Sequence, residues 1–500
     1  MAEPNQEQQQ APQPAAETME VSEFEGLLKK EFKPKGKQAQ EAIQQAVQTL
    51  AEQALAETRF ISDDAVKTIE SIVAEIDRKM SEQINMIMHH ADFQALEGSW
   101  RGLNYLVNNT ETDETLKIRV MNISKKDVAK TLKKFKGVAW DQSPLFKKIY
   151  ENEYGSPGGE PYGCLVGDYD FDHSAPDVEI LNGMAQIAAA AHAPFISAAA
   201  PSLMNMDTWQ ELSNPRDLTK IFQTAEYAPW RSLRDSEDAR YIGLTMPRFL
   251  ARLPYGADIN PVDEFDFEED TAGAEHSKYL WSNSAYTMAT NVTNSFKMYG
   301  WCSQIRGVES GGMVEGLPCH TFPTDDGGVD MKCPTEIAIT DRREAELAKN
   351  GLMPLSHWKN TDYAVFVGAQ SLQKPTEFDD PDASANAQLA ARMPYLFATC
   401  RFAHYLKCIV RDKIGTFKER VDMENWLNKW ITQYVTSDPS ASDEVKAQYP
   451  LAAAEVVVED VEGDPGYYSA KFYLRPHYQL EGLTVSLRLV SKLPSAKAGG

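Results

Sequence analysis

Five hundred residues exceed what one hydrophobic core needs, so the chain should fold as two to four domains. With 42% apolar and 25% charged residues its composition is that of an ordinary globular protein. Its 73 acidic against 50 basic residues give a net charge of −23, which disfavours non-specific nucleic-acid binding and docking on anionic lipid, since both need Lys and Arg.

Residues 1–20 hold five Gln, four Ala and three Pro and cannot bury enough surface to offset their ordering entropy, so a disordered tail is expected over 1–36. This start has neither a basic region nor an apolar run, so it does not read as a secretory signal. A weak, Gln-rich amphipathic helix follows at 38–57. A stronger one is predicted at 64–89, where Ile69, Val73, Ile76, Met80, Ile84 and Ile87 recur at spacings of 4, 3, 4, 4 and 3, close to a heptad seam. Two readings of the seam stay open: packing on its own domain, or zipping onto a partner chain, which its place beside the tail favours.

Alternation at Leu116, Ile118 and Val120 predicts a strand, and Ser124–Asp127 is a capping box for a Lys-rich helix. Gly and Pro dominate 151–163, which reads as a linker or long loop. From Tyr162 the pattern turns β-α-β: a strand at GCLVGD, a helix capped at Ser174 and running to about Ala191, and a strand over Pro194–Ala200. That spacing predicts a parallel pair. Within the next stretch, 184–204 is the most apolar run, but it is mostly Ala and is broken by Gln186, His192, Pro194 and Ser197, so no bilayer span is expected. Six carboxylates in eight residues mark 263–270 as a surface loop. Further strands are predicted at 336–340 and 363–368, then a long helix over 394–435 interrupted near Gly415. Three strand-like runs close the chain at 454–461, 467–475 and 483–489, the first two joined by a turn at 463–466.

Few motifs promise chemistry. Asp168, Asp170, Asp172 and Glu179 fall at calcium-loop spacing, but His173 stands where such a loop needs Gly, and a β-to-α turn explains the carboxylates. Cys319, His320 and Cys333 lack the close second pair of a zinc site. The six cysteines are too sparse for a disulfide framework, so free, buried thiols in a reducing cytoplasm are expected. Glycine-rich 307–316 has no phosphate-binding Lys-Ser/Thr. No nucleophile, base or metal set emerges, so no catalytic residue, cofactor or metal is assigned.

The helix around Phe402 is more telling. Phe402, Leu406, Ile409, Val410, Ile414 and Phe417 share one face, while Lys407, Arg411 and Lys418 fall within about 40° of one another on a second. Residues 401–420 hold six basic and two acidic side chains, a local excess in an acidic protein. The basic face is either simply solvated or meets an acidic partner.

His89–Val107, Gly163–Phe171, Pro247–Gly256, Leu396–Gly415 and Phe472–Pro494 resemble one family over roughly residues 60–494: the large sheath subunit of the bacterial type VI secretion system, TssC or VipB. The resemblance implies a mixed α/β, phage-tail-sheath-like multidomain fold with an N-terminal helical extension and exchangeable C-terminal β-strands. It implies a helical region at 37–110 pairing with a small sheath subunit (TssB/VipA-like), a central α/β region at 111–385 with outward loops, and an inner domain at 386–500. In this reading the 69–87 seam contacts the small subunit, and Lys407, Arg411 and Lys418 face an Hcp-like inner tube. Leu483, Val485, Leu487 and Leu489 alternate on a terminal strand, which either edges its own domain or is donated to a neighbouring protomer. Further implied partners are the baseplate and an AAA+ unfoldase that recycles the sheath mainly through the small subunit; the implied location is the bacterial cytoplasm. The alternatives are a phage-like tail sheath without a small subunit and a cytoplasmic α/β enzyme.

Overall fold

The computed structural model describes residues 65–214, 217–271, 275–324, 326–416, 419–461 and 468–479. The tail, the helix expected at 38–57, the turn at 463–466 and the strand expected at 483–489 lie outside them. The chain divides into two units, one holding the sequence up to His90 with Pro254–Asp270, the other Ala91–Leu253 with Thr271–Gly500.

In the first unit the heptad pattern forms helix α1 (Ala65–Met88). Ser81, Asn85 and His89, four residues apart, make a polar stripe about 140° from the seam. The Asn85 carboxamide donates to the Glu268 carbonyl and accepts the Asp270 N–H, each at 2.9 Å, and His89 Nε2 lies 3.5 Å from Glu269. The acidic stretch at 263–270 is irregular as expected, but it is not all surface. Phe267 and Glu269 are buried, and the Glu269 carboxylate accepts the Tyr255 N–H at 2.9 Å. An extended chain alternates its side chains, so even an acidic run turns some of them inward.

The second unit is built on a six-stranded sheet. Its strands in chain order are β1 (Leu165–Phe171), β2 (Phe195–Ala199) and β3 (Ile242–Met246), then β6 (Met313–Val314), β9 (Met353–His357) and β10 (Ala364–Phe366). Between them come two small hairpins: β4 (Phe249–Leu250) with β5 (Trp281–Ser282), and β7 (Thr321–Pro323) with β8 (Val329–Met331). The sheet order is β1-β2-β3-β9-β10-β6, with the first four strands parallel and the last two antiparallel to their neighbours. Of the helices, α2 (Ala91–Asn108), α3 (Lys125–Lys134), α4 (Ala175–Ala191) and α5 (Ala285–Tyr299) precede the sheet's last strands. Later come α6 (Asp341–Lys349), α7 (Met393–Lys413) and α8 (Arg420–Thr432).

Every residue of β2 and β3 is buried because both faces are covered. Phe195 and Leu244 pack with Leu181, Met184 and Ile187 of α4 on one face. Ile196, Met353 and Phe366 pack with Met288 of α5 and with Leu396 and Phe397 of α7 on the other. Opposite Ser197, β1 slips register between Val166 and Asp170, and the Ser197 hydroxyl sits 2.7 and 2.8 Å from the Gly167 and Tyr169 carbonyls, serving the oxygens that the bulge frees.

The β1-α4-β2 unit, the capping box (the Ser124 side chain accepts the Asp127 N–H) and the helix break near Gly415 form as the sequence predicts. Three expectations need correcting. Leu116–Val120 is extended but pairs with no strand among the described residues; Asp113 turns the chain by accepting the Thr115 and Leu116 N–H groups, and only Ile118 reaches a core. No strand forms at 336–340; the nearest pairing is the single bridge of Thr335 to Phe249, after which the chain bends, the Thr335 hydroxyl donating to the Ile337 carbonyl. The expected linker at 151–163 begins four residues late, since Lys147–Tyr154 is a π-helix.

Helix α2 packs on α5 through a smooth face, Leu106 meeting Tyr286 and Ala289. Gly98 and Gly102 are both buried, and the Ser282 hydroxyl donates to the Gly98 carbonyl at 2.8 Å. A Cβ on Gly102 would stand 2.4 Å from both Ser282 Oγ and the Tyr286 ring. Gly102→Ala is therefore expected to destabilise by about 1–3 kcal/mol despite the better helix propensity of Ala. A thermal melt would show a lower midpoint; an unchanged or higher one means the contact relaxes freely.

Candidate functional site

Along the α1 seam, Val73 and Ile87 are each 50% exposed and Ile76, Met80 and Ile84 are half-buried; the Ile69 side chain lies outside the described residues. The neighbouring Met86 is also exposed. The polar stripe faces this unit's own 254–270 segment while much of the apolar seam still meets solvent. Arg78 bridges Glu75 at 2.6 Å and also pairs with Glu82, a ladder that supports the helix from its charged side.

Helix α7 belongs to two cores. Its first half packs on the sheet, and Phe402 and Leu406 then join Trp301, Leu427 and Ile431 in a second cluster, with Trp301 stacked on Phe402 at 4.4 Å between centroids. The apolar face expected to run to Phe417 stops short. The helix ends at Lys413, Ile414 is 78% exposed, and Gly415 reverses the chain at φ +86°; Phe417 lies outside the described residues.

Lys407 and Arg411 of the basic stripe are half-buried and engaged within the chain. The Lys407 ammonium sits over the Tyr154 ring at 3.7 Å and the Tyr150 ring at 4.7 Å, and donates to the Tyr150 hydroxyl at 3.1 Å. Arg411 donates to the Ser156 and Tyr154 carbonyls at 3.0 and 3.2 Å, at the negative end of the π-helix. Lys418 lies outside the described residues. The aromatic partners Tyr150 and Tyr154, spaced by four with Phe146 stacked on Tyr150, were the overlooked signal.

One turn before Lys407, His404 is buried and hydrogen-bonded through Nε2 to the Ala191 carbonyl at 2.8 Å. Burial pushes its pKa down to about 4, the nearby Arg401, His192 and Lys407 adding to the effect against the carbonyl bond.

After α8, β11 (Leu451–Asp460) and β12 (Tyr468–Pro476) form a two-stranded antiparallel ribbon. The outer edge of β11 is closed by side chains of α8. Asn428 exchanges both hydrogen bonds with Val456, at 2.8 and 2.9 Å; Glu424 accepts the Val458 N–H at 2.9 Å and Arg420 donates to the Val458 carbonyl at 3.0 Å. The outer edge of β12 has no strand partner among the described residues, and Tyr473 on it is 58% exposed.

Of the calcium-spaced carboxylates, Asp172 serves the turn before α4, joined there by Asp177, while Glu179 pairs with Lys136 at 2.6 Å. Asp172 accepts the Ser174 N–H at 2.8 Å, while Asp177 takes the Asp172 N–H at 2.9 Å and Lys125 at 2.7 Å. No group of three or more His, Cys, Asp or Glu suited to a metal occurs among the described residues, and no helix there is long and apolar enough to cross a membrane. The cysteines are free thiols; Cys400 is buried, and so are the sulfurs of the half-buried Cys164 and Cys302, while Cys319 and Cys333 are half-buried beside a surface hairpin.

The half-exposed apolar seam of α1 in the first unit and the edge of β12 in the second, open among the described residues, are surfaces that suit assembly with other chains. The tail sheath N-terminal domain of the VipB family (EvpB/VC_A0108) matches residues 70–373, and its tail sheath gpW/gp25-like domain matches 382–493. The chain is 74% identical over 481 residues to the type VI secretion system sheath protein TssC1 of Pseudomonas aeruginosa PAO1, covering 96% of this chain and 97% of that one. It belongs to the VipB family of type VI secretion contractile sheath proteins and is a structural sheath subunit. Among solved structures it overlaps the anti-feeding prophage baseplate (TM-score 0.38, 11% identity, 79% of this chain and 87% of that one). It also overlaps a contracted extracellular injection-system PVC sheath (TM-score 0.32, 10% identity, 62% and 68%). Overlaps that shallow add nothing to the family match.

His404 gives a measurable pH signature. Its folded-state pKa lies below its unfolded value of 6.5, so the unfolded chain binds the proton more readily. The associated stability is full above about pH 6.5 and is lost as pH falls toward 4, about 2–3 kcal/mol by pH 4.5. In urea titrations at pH 7 and 4.5, His404→Gln should lose less stability than the parent; equal losses would assign the pH dependence elsewhere.

Proposed function

We propose that the chain pairs with a small sheath subunit through α1, links to neighbouring protomers by strand exchange at its C-terminal ribbon, and contracts around an Hcp-like inner tube in the bacterial cytoplasm. Contraction then drives the tube and its cargo into a target cell, the sheath starting from a baseplate and being recycled by an AAA+ unfoldase acting mainly on the small subunit. The role is mechanical and needs no cofactor.

The observation that carries the reading is the asymmetry of the ribbon. With the edge of β11 occupied by Asn428, Glu424 and Arg420, a strand added to this ribbon must join β12. Backbone pairing along such an edge is strong yet tolerates rotation of the linker, which suits links that must survive a change of pitch. Leu483, Val485, Leu487 and Leu489 are the proposed donor residues, each worth about 1.5–3 kcal/mol if buried. Deleting 482–500 should leave the complex with the small subunit soluble and abolish sedimentable tubules; tubules of normal length would place the exchange elsewhere.

For the seam, Ile69, Val73, Ile76, Met80, Ile84 and Ile87 are proposed to bury against the small subunit. Ile76→Asp with Met80→Asp would put unpaired carboxylates into that contact, costing several kcal/mol. Co-purification should fail, and equal yield would make the seam internal. For the tube, Lys407 and Arg411 hold the π-helix, so their reversal would report on folding. Lys418 is the residue of the proposed tube-facing set on which a charge reversal tests the assignment.

A further inference from the structure

Cys319 and Cys333 flank the β7–β8 hairpin, whose register pairs Thr321 with Met331, Phe322 with Asp330 and Pro323 with Val329. One rung beyond, the Lys332 N–H donates to the His320 carbonyl at 2.7 Å; at the turn end the Thr324 N–H donates to the Gly328 carbonyl at 2.9 Å. Hydrogen-bonded rungs thus fall at 320/332 and 324/328, and the alternation of an antiparallel ladder makes the next pair outward, Cys319 with Cys333, a non-hydrogen-bonded pair. Facing residues there stand about 4.5 Å apart at Cα with their side chains on one face, within the ~4.4–6.8 Å that a disulfide spans. The two thiols are close enough that Cys333 raises the pKa of Cys319 electrostatically.

Their surroundings give them different roles. Burial pushes the Cys333 thiol up, but hydrogen bonding with the His357 ring and with Thr335, whose hydroxyl oxygen is 3.2 Å away, outweighs it and holds the thiol below the usual range. His357 Nε2 is 2.9 Å from the Thr361 carbonyl, and donating there leaves the other ring nitrogen for the sulfur. Burial lowers the His357 pKa, yet its bonds to Cys333 and Thr361 raise it overall, which favours an imidazolium beside a thiolate. Cys319 is pushed up by burial, then by Asp362 and Cys333. The other neighbouring pair, Cys164 and Cys302, differs: burial drives both thiols far up, Cys302 to about 12, so neither is a nucleophile.

We propose that Cys319 and Cys333 are a reversible oxidation site, at which Cys333 reacts with a hydroperoxide and Cys319 closes a cross-strand disulfide at the base of the hairpin. In the first step the Cys333 sulfur attacks one peroxide oxygen. An S–O bond forms, the O–O bond breaks, sulfur is oxidised to a sulfenic acid, and the other oxygen leaves as hydroxide and takes a proton to become water. In the second step the Cys319 sulfur attacks the Cys333 sulfur, an S–S bond forms, the S–O bond breaks, and the hydroxyl leaves as water with the Cys319 proton. Exchange with a small thiol restores both cysteines.

The test is to treat the full-length protein with near-stoichiometric hydrogen peroxide, block remaining thiols with N-ethylmaleimide, and map tryptic peptides by mass spectrometry. Cleavage after Lys332 separates the two cysteines, so the link appears as a two-chain peptide. The expected result is that peptide, with a loss of two hydrogens from the intact mass that dithiothreitol reverses. Cys319→Ser should stop the reaction at a Cys333 sulfenic acid that dimedone traps, and Cys333→Ser should leave Cys319 reduced. A Cys333 that stays a thiol while exposed Cys408 oxidises, or a disulfide to any other cysteine, overturns the proposal.

Discussion

Burial of the central sheet on both faces is the constraint from which the rest of the second unit follows. Four adjacent parallel strands with helices on either side have no solvated face, so β2 and β3 are buried at every residue and their few polar groups must be satisfied internally. Ser197 does this for the bulged carbonyls of β1, and the Thr245 hydroxyl donates to the Ser197 carbonyl at 3.1 Å. The result is a stiff plate. Helix α7 is packed into that plate through Leu396 and Phe397 and into the C-terminal cluster through Phe402 and Leu406. The sheet and the cluster beneath the ribbon are thus joined through one continuous helix.

The surfaces left over are those that a lone chain tolerates poorly. An open strand edge invites pairing, and an apolar stripe on an exposed helix invites a second helix. The ribbon limits the hazard by closing one edge with α8 side chains, so that addition has a single direction. The net charge of −23 works the same way at longer range, keeping copies apart until specific contacts are made.

The parts legible in the sequence were those whose pattern is set by burial within a short window. The β1-α4-β2 unit could be read because its strands are short apolar runs and its helix is bounded by Ser174 and His192, and the α1 helix because its apolar spacing is regular from Ile69 to Ile87. What misled was local pattern without a partner. Leu116–Val120 alternates like a strand but has no ladder among the described residues, and Glu336 is occupied by Arg248, its carboxylate 2.6 Å from the guanidinium, where a strand was expected. The surroundings of the basic stripe of α7 were hidden for the opposite reason. Lys407 and Arg411 look like surface charge in one dimension, and the rings and carbonyls that engage them come from residues more than 250 positions earlier. The closing of the β11 edge by Asn428 was equally invisible, since nothing in a helix sequence says which carboxamide will meet a strand.

In the proposed assembly α1 is completed by another chain, whereas the sheet is complete by itself. Hydrogen–deuterium exchange on this chain alone and in complex with the small sheath subunit tests it directly, comparing amides of 65–88 with those of β1 to β3. The account predicts that 65–88 exchanges much more slowly in the complex, while the sheet strands are slow in both states. Equal and strong protection of 65–88 in the chain alone would contradict it.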